Sequence, residues 1–287
     1  MSSETTPDLT PILRSLVLER AGEWQWRAPS APNEQRPVVF GGQLLGQLIM
    51  AATAAQPGKR VRSLHAVFAR AGSAAAPVEL DVAALHDGRS LGTLSVTARQ
   101  GSRVLAPGLA LMDIGEPDVI RHQPPMPAVP DADEVPAAEL LAEEGTELRV
   151  VGNVDLRTAA VTGPPELRVW ARFDTGHVDQ AVHQALLSWW TDPFLIGAAM
   201  RPHEGFGQGQ AHKTLSTGVL TQTVNFHEEV DASQWHLFVN DSVQAGHGRC
   251  YGTGTVFSRD GRLVASFAQE SMIRWFSDDA RRGASAM

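Results

Sequence analysis

The sequence is poor in cysteine: Cys250 is the only one in 287 residues, so no internal disulfide framework is available. A lone thiol suits a reducing compartment. Long apolar runs are also missing, because the most apolar early stretch, residues 44–55, contains glutamine and is shorter than the roughly 20 residues that cross a bilayer. The first ten residues carry acids and hydroxyls where an export signal has a basic segment leading into an apolar one. These absences lead us to expect a soluble, cytoplasmic protein with no membrane partner. Positive charge is in deficit, and a formal net charge of −8 speaks against a nucleic-acid partner, since neutralising phosphates requires a basic surface. The ten histidines show no paired spacing and there are no cysteine pairs, so no metal is expected. Gly41-Gly42 and Gly46 lack the lysine of a phosphate loop, and no cofactor is expected.

What is present is a globular composition, 43% hydrophobic and 20% charged, with 26 glycines and 18 prolines to make turns. The length allows two domains of ordinary size, each with its own core. Residues 88–101 (GRSLGTLSVTARQG) and 248–261 (GRCYGTGTVFSRDG) are identical at seven of fourteen positions, a spacing of 160. One fold used twice is the simplest reading.

Each half begins with an apolar helix pattern, over 42–55 and over 178–199, and continues into strands. In the first half these fall at 64–70, 78–85, 91–99 and 104–112, and in the second at 219–226, 236–243, 251–258 and 263–275. Their alternation of apolar and polar residues is that of half-buried strands. Gly101 and Asp260-Gly261 sit where tight antiparallel hairpins need positive φ. A helix apolar on most sides must be buried, which predicts a sheet curled around it. The expected fold is α+β, a double hot-dog in which two antiparallel sheets each wrap a long helix. Residues 1–115 form the first domain, the proline-rich acidic stretch 116–145 a surface linker, and 146–287 the second domain.

The run Val39-Phe40-Gly41-Gly42-Gln43-Leu44-Leu45-Gly46-Gln47, then His65-Ala66-Val67-Phe68-Ala69-Arg70-Ala71-Gly72 and Asp87-Gly88-Arg89-Ser90, resembles the acyl-CoA thioesterase II family. So do Ser188-Trp189-Trp190-Thr191-Asp192, Val224-Asn225-Phe226-His227 and Val264-Ala265-Ser266-Phe267-Ala268-Gln269-Glu270 in the second half. The resemblance implies a hydrolase of fatty acyl-CoA in which an Asp, a Ser or Thr, and a Gln of the second half position one attacking water. The Asp falls on Asp192 and the Gln on Gln269. The hydroxyl position falls on Val219, and the Asp-His pair that follows it in the family reads Thr221-Gln222. Because side chains two apart share a strand face, Thr221 is the candidate hydroxyl, with Thr223 on the same face and Thr217 available if the strand carries a bulge.

Direct water attack on a thioester needs a base, groups that orient the water, and donors for the oxyanion. Asp192, partly desolvated near a helix end, is the expected base, because desolvation raises a carboxylate's pKa. Gln269 and Thr221 would hold the water, and backbone N–H groups at a helix start would meet the oxyanion. The first half places Ala110 opposite Gln269 and Ser63 opposite Thr221 in the repeat, so one active site per chain is expected, in the second half.

Gly88-Arg89-Ser90-Leu91-Gly92 spells G-x-S-x-G but lies between strands, whereas the hydrolase elbow joins a strand to a helix. Cys250 reads as a packed thiol, His65 and His227 as packed or hydrogen-bonded residues, Trp189 and Trp190 as core, and the Asn240-Asp241-Ser242 sequon as inert without export. Two other functions stand beside hydrolysis: an acyl-CoA-binding protein of weak or no activity, and an acyl-CoA hydratase or dehydratase, which needs a converging Asp and His. Surface arginines would meet the CoA phosphates. Exposed sheet edges favour a homo-oligomer.

Overall fold

The computed structural model describes residues 10–32, 37–138, 144–158, 160–176 and 178–276. The first half runs α1 (Pro11–Ser15), β1 (Glu19–Arg20), β2 (Gln25–Ala28), α2 (Gly41–Ala55), β3 (Arg60–Val67), β4 (Val78–Asp87), β5 (Leu91–Gln100) and β6 (Arg103–Asp113). The second runs β7 (Thr146–Val150), β8 (Glu166–Phe173), α3 (Gln180–Trp189), α4 (Phe194–Met200), β9 (Leu215–Phe226), β10 (His236–Gly246), β11 (Arg249–Ser258) and β12 (Leu263–Trp275). All eight strands expected from alternation are present. The pieces α1, β1, β2 and β7 carry too few residues for a period to show, whereas the eight-residue β8 alternates and was not expected.

The two expected sheets are one. Among the described residues, twelve antiparallel strands run in the order β1-β2-β4-β5-β6-β3-β9-β12-β11-β10-β8-β7, and the halves join through β3 and β9. The order reads the same from both ends once each strand is exchanged for its counterpart. Ser63 pairs with Asn225, His65 with Thr223 and Val67 with Thr221, a register that a two-fold axis through the His65–Thr223 pair leaves unchanged. There His65 Nδ1 and Thr223 Oγ1 are 2.8 Å apart, 158 residues apart in sequence. Pairing at β3–β9 satisfies an edge that each half alone would leave open.

Hydrogen-bond register also corrects the repeat spacing. β3 carries a bulge at Arg62 and β9 at Leu220, while β4 carries one at Leu85 and β10 at Val243. Both pairs are 158 apart, not 160. A slip of two residues leaves every side chain on its own face, so alternation alone does not separate the two spacings. The counterpart of Ser90 is therefore Gly248, and that of Cys250 is Gly92.

The helix expected over 178–199 is two helices. Pro193 has no N–H to give and its ring clashes with the carbonyl four residues earlier, which breaks a helix. Trp190 and Thr191 N–H turn to the carbonyls of Leu187 and Ser188, and Thr191 Oγ1 also donates to Ser188 O at 2.7 Å. α2 and α3 pack antiparallel on the inner side of the sheet. The contact is close because a Cβ on Gly42 would strike the Trp189 carbonyl and one on Gly46 would meet Ala185 at 3.4 Å. Gly101 and Gly261 adopt φ of 58° and 86° in the β5–β6 and β11–β12 hairpins, as the turns require.

The stretch read as a surface linker is docked on the outer face of the second half. Trp170 Nε1 donates to Pro130 O at 3.0 Å, Arg259 binds Asp131 and Asp133, and Ala132 and Val135 join a small outer core with Trp170, Trp235 and Phe257.

Candidate active site

Asp192 lies in the break between α3 and α4, and its carboxylate rests against the start of α2. A Cβ added to Gly41 would collide with Asp192 Oδ1, so only glycine lets the helix start come this close. α2 opens at Phe40, whose side chain makes no cap, and its first intrahelical bond runs from Leu44 N–H to Phe40 O. The amides of Gly41, Gly42 and Gln43 therefore belong to the unbonded end of the helix, where amides and dipole favour negative charge. The centroids of Phe40 and Trp189 lie 5.2 Å apart, and those of Trp190 and Phe194 5.9 Å, enclosing the break in aromatic rings. Both tryptophans are buried, as expected for core residues.

Below the break lies the inner face of β9, β12 and β11. Gln222 donates through Nε2 to Thr191 O at 3.4 Å, tying the residue beside Asp192 to the sheet. Gln222 pairs across strands with Gln269, and Gln269 pairs with Gly252. Leu195, three residues past Asp192, covers Gly252. Two links, one on each side, therefore bring Asp192 and Gln269 to the same side of the sheet. Asp192 is 6% exposed, Gln269 1% and Gln222 0%. Gln222 Oε1 and Gln269 Oε1 are buried acceptors with no hydrogen-bond partner among the described residues. Leaving a buried amide oxygen unbonded costs about 1–3 kcal/mol. The site thus presents a carboxylate and two amide oxygens, all acceptors, beside a helix end rich in donors.

Thr221 is not part of this arrangement. The bulge at Leu220 shifts the strand by one residue, so Val219 faces inward opposite Ser271 while Thr221 pairs with Glu270 on the outer face. Thr223 shares that outer face, against His65. Thr217 does turn inward across the bulge, but it is paired with Ile273, roughly 13 Å along the strand from Gln269 at about 3.3 Å per residue. Its hydroxyl meets His212 Nε2 at 3.4 Å. Gln222 was passed over as a candidate, although a long amide on the inner face of a strand between Val224 and Val219 signals a buried polar role. His227 bonds Ser266 Oγ at 2.9 Å. Its pKa is lowered, first by burial and then by Arg62, with Glu228 opposing. Among the described residues, no three His, Cys, Asp or Glu gather as a metal site, and no helix is long and apolar enough to cross a membrane.

The architecture is a hot-dog fold. It matches the hot-dog protein of Alicyclobacillus acidocaldarius with a TM-score of 0.75 at 20% identity, covering 93% of this chain and 98% of that one. Residues 28–112 match the model for the acyl-CoA thioesterase N-terminal domain and residues 121–273 that for the C-terminal domain, so the chain belongs to the acyl-CoA thioesterase family. It is 30% identical to acyl-coenzyme A thioesterase 8 of Mus musculus, over 93% of this chain and 92% of that protein. The crystal structure of the acyl-CoA thioesterase II TesB2 of Mycobacterium marinum superposes with a TM-score of 0.78 at 28% identity, covering 93% and 99%.

Proposed function

We propose that the chain hydrolyses fatty acyl-CoA to free acid and CoA by direct attack of water, and that the site at the α3–α4 break carries the reaction. The observation that supports this is a buried carboxylate against a helix start, beside the sheet face on which two unpartnered amide oxygens are buried. A water bound there donates one proton to Asp192 and the other to Gln269 Oε1 or Gln222 Oε1, which turns a lone pair toward the thioester carbonyl. Asp192 removes the proton as the C–O bond forms, and the oxyanion faces the amides of Gly41 and Gly42. Collapse breaks the C–S bond, and the proton held by Asp192 passes to the leaving thiolate. The hydratase reading needs an Asp and a His together, and the match of both halves to acyl-CoA thioesterase domains favours hydrolysis over it. The binding-protein reading predicts no thiol release.

The finer reading is a duplicated hot-dog: a first unit over 1–115, the crossing stretch 116–145, and a second unit over 146–287 that holds the carboxylate and the glutamines. Cytoplasmic location rests on the single thiol. Self-association rests on exposed leucines of the outer sheet face, Leu91, Leu109 and Leu111, and sedimentation of the purified chain tests it. The test of function is thiol release over acyl-CoA chain lengths. Turnover by the wild type and its loss in Asp192→Asn and Gln269→Ala is the expected result; full turnover in both variants removes this site.

A further inference from the structure

The family hydroxyl position is occupied by Val219, and none of the three threonines of β9 takes its place beside Gln269. We infer that the hydroxyl has moved one strand over, to Ser271 of β12, where it positions the Gln269 amide for the attacking water. Ser271 is the cross-strand partner of Val219. Opposed side chains on one face stand about 5 Å apart, so a hydroxyl lost at one position and present at the other serves nearly the same point. Ser271 is 1% exposed, and Gln269 Nε2 donates to its Oγ at 2.7 Å. In this arrangement Ser271 Oγ accepts from the amide nitrogen and also bonds the Cys250 thiol. With the nitrogen taken by Ser271, Oε1 is the end left to accept a proton from water.

The first half shows what packing alone asks of this position. The counterpart of Ser271 is Met112, paired with Gly92 as Ser271 is paired with Cys250, and Met112 is buried among apolar neighbours. A buried hydroxyl in place of that side chain is costly unless bonded, and here its partners are Gln269 and Cys250. The Cys250 thiol is pushed up to about 12, chiefly by burial and then by Glu270, with the Ser271 hydrogen bond pulling the other way. Cys250 is thus a neutral neighbour, and the amide of Gln269 is the group that Ser271 orients toward the site. Ser271 acts through Gln269 and is a positioning residue.

The inference rests on the thioesterase reading, and the experiment separates the two. Thiol release from one saturated long-chain acyl-CoA is measured for the full chain and for Ser271→Ala, Ser271→Thr, Ser271→Ala/Val219→Ser and Asp192→Asn, with melting temperatures alongside. Ser271→Ala is expected to lower kcat about tenfold to a hundredfold with little change in KM, since a misaligned reactant costs rate rather than binding. Ser271→Thr, and the hydroxyl transplanted to position 219, are expected to recover most of the loss. Wild-type kcat in Ser271→Ala, with Asp192→Asn inactive, overturns the role of Ser271 and leaves the site standing. A loss that neither hydroxyl variant recovers marks a packing role and overturns it too. An active Asp192→Asn removes the site itself.

Discussion

The two halves lay the same strands under their helices and differ in what those strands present. In the first half the inner face reads Val61, Leu64, Leu94, Ala110 and Met112, all buried. At the matching positions the second half reads Val219, Gln222, Gly252, Gln269 and Ser271, placed by the same pairings and the same bulge. Backbone geometry is thus duplicated, and the second copy differs by three apolar-to-polar changes, at Gln222, Gln269 and Ser271, where the site is proposed. The Leu94-to-Gly252 difference makes space, part of which Leu195 enters. At two sheet positions the second half buries glutamine oxygens with no hydrogen-bond partner among the described residues, where the first half has Leu64 and Ala110.

The largest effect that sharpens this contrast belongs to Asp192→Asn, which keeps shape and removes the proposed base. A fall in kcat of about a thousandfold or more is expected, read by thiol release at saturating substrate. Next is Gly41→Ala, whose new methyl meets the Asp192 carboxylate. Steady-state kinetics should show at least about a tenfold loss in kcat with a melting temperature close to wild type, because displacement of the base is the main consequence.

Writing the second half's chemistry into the first tests the contrast from the other side. Leu64→Gln is expected to cost about 3 kcal/mol in urea unfolding, since it removes a buried leucine and buries an unbonded amide, while adding no activity. A pH-dependent effect comes from His236, at the start of β10. Burial lowers its pKa to about 4, and Nδ1 lies 3.0 Å from the Gln234 carbonyl. The native state therefore holds His236 neutral where the unfolded chain, titrating near 6.5, takes up a proton. Its contribution is full above about pH 6.5 and is lost as pH falls through that value toward 4, by about 3 kcal/mol in total. Unfolding free energies at pH 7 and pH 4.5 should differ less in His236→Gln than in wild type.

Much of this was legible in the sequence. Period-two alternation located the eight long strands, and Gly101 and Gly261 marked their hairpins. Asp192 and Gln269 were named as candidates through the motifs around them, and both are buried on the inner side of the sheet. The failures have physical reasons. Pro193 is one residue inside an otherwise continuous apolar pattern, so the hydrophobic period ran straight across a helix break. The repeat spacing was misread by two for β5 and β11 because a two-residue slip preserves faces, while the pairs Ser63/Thr221 and Ala110/Gln269 agree with the register. Thr221 was chosen because strand parity was carried through Leu220 without the bulge, and one extra residue is enough to turn a strand inside out. That β3 and β9 fuse two sheets into one depends on long-range pairing that no local pattern records.

The central claim is that the second inner face works because it is polar where the first is not. The double variant Gln222→Leu/Gln269→Ala turns it into a copy of the first at both glutamine positions. Thiol release and thermal melting on this one protein give the test. The account predicts kcat at least about a thousandfold below wild type, as two water-holding groups are lost together, with a melting temperature equal to or above wild type because two unbonded amide oxygens are gone. Turnover within twofold of wild type in a folded double variant would contradict it.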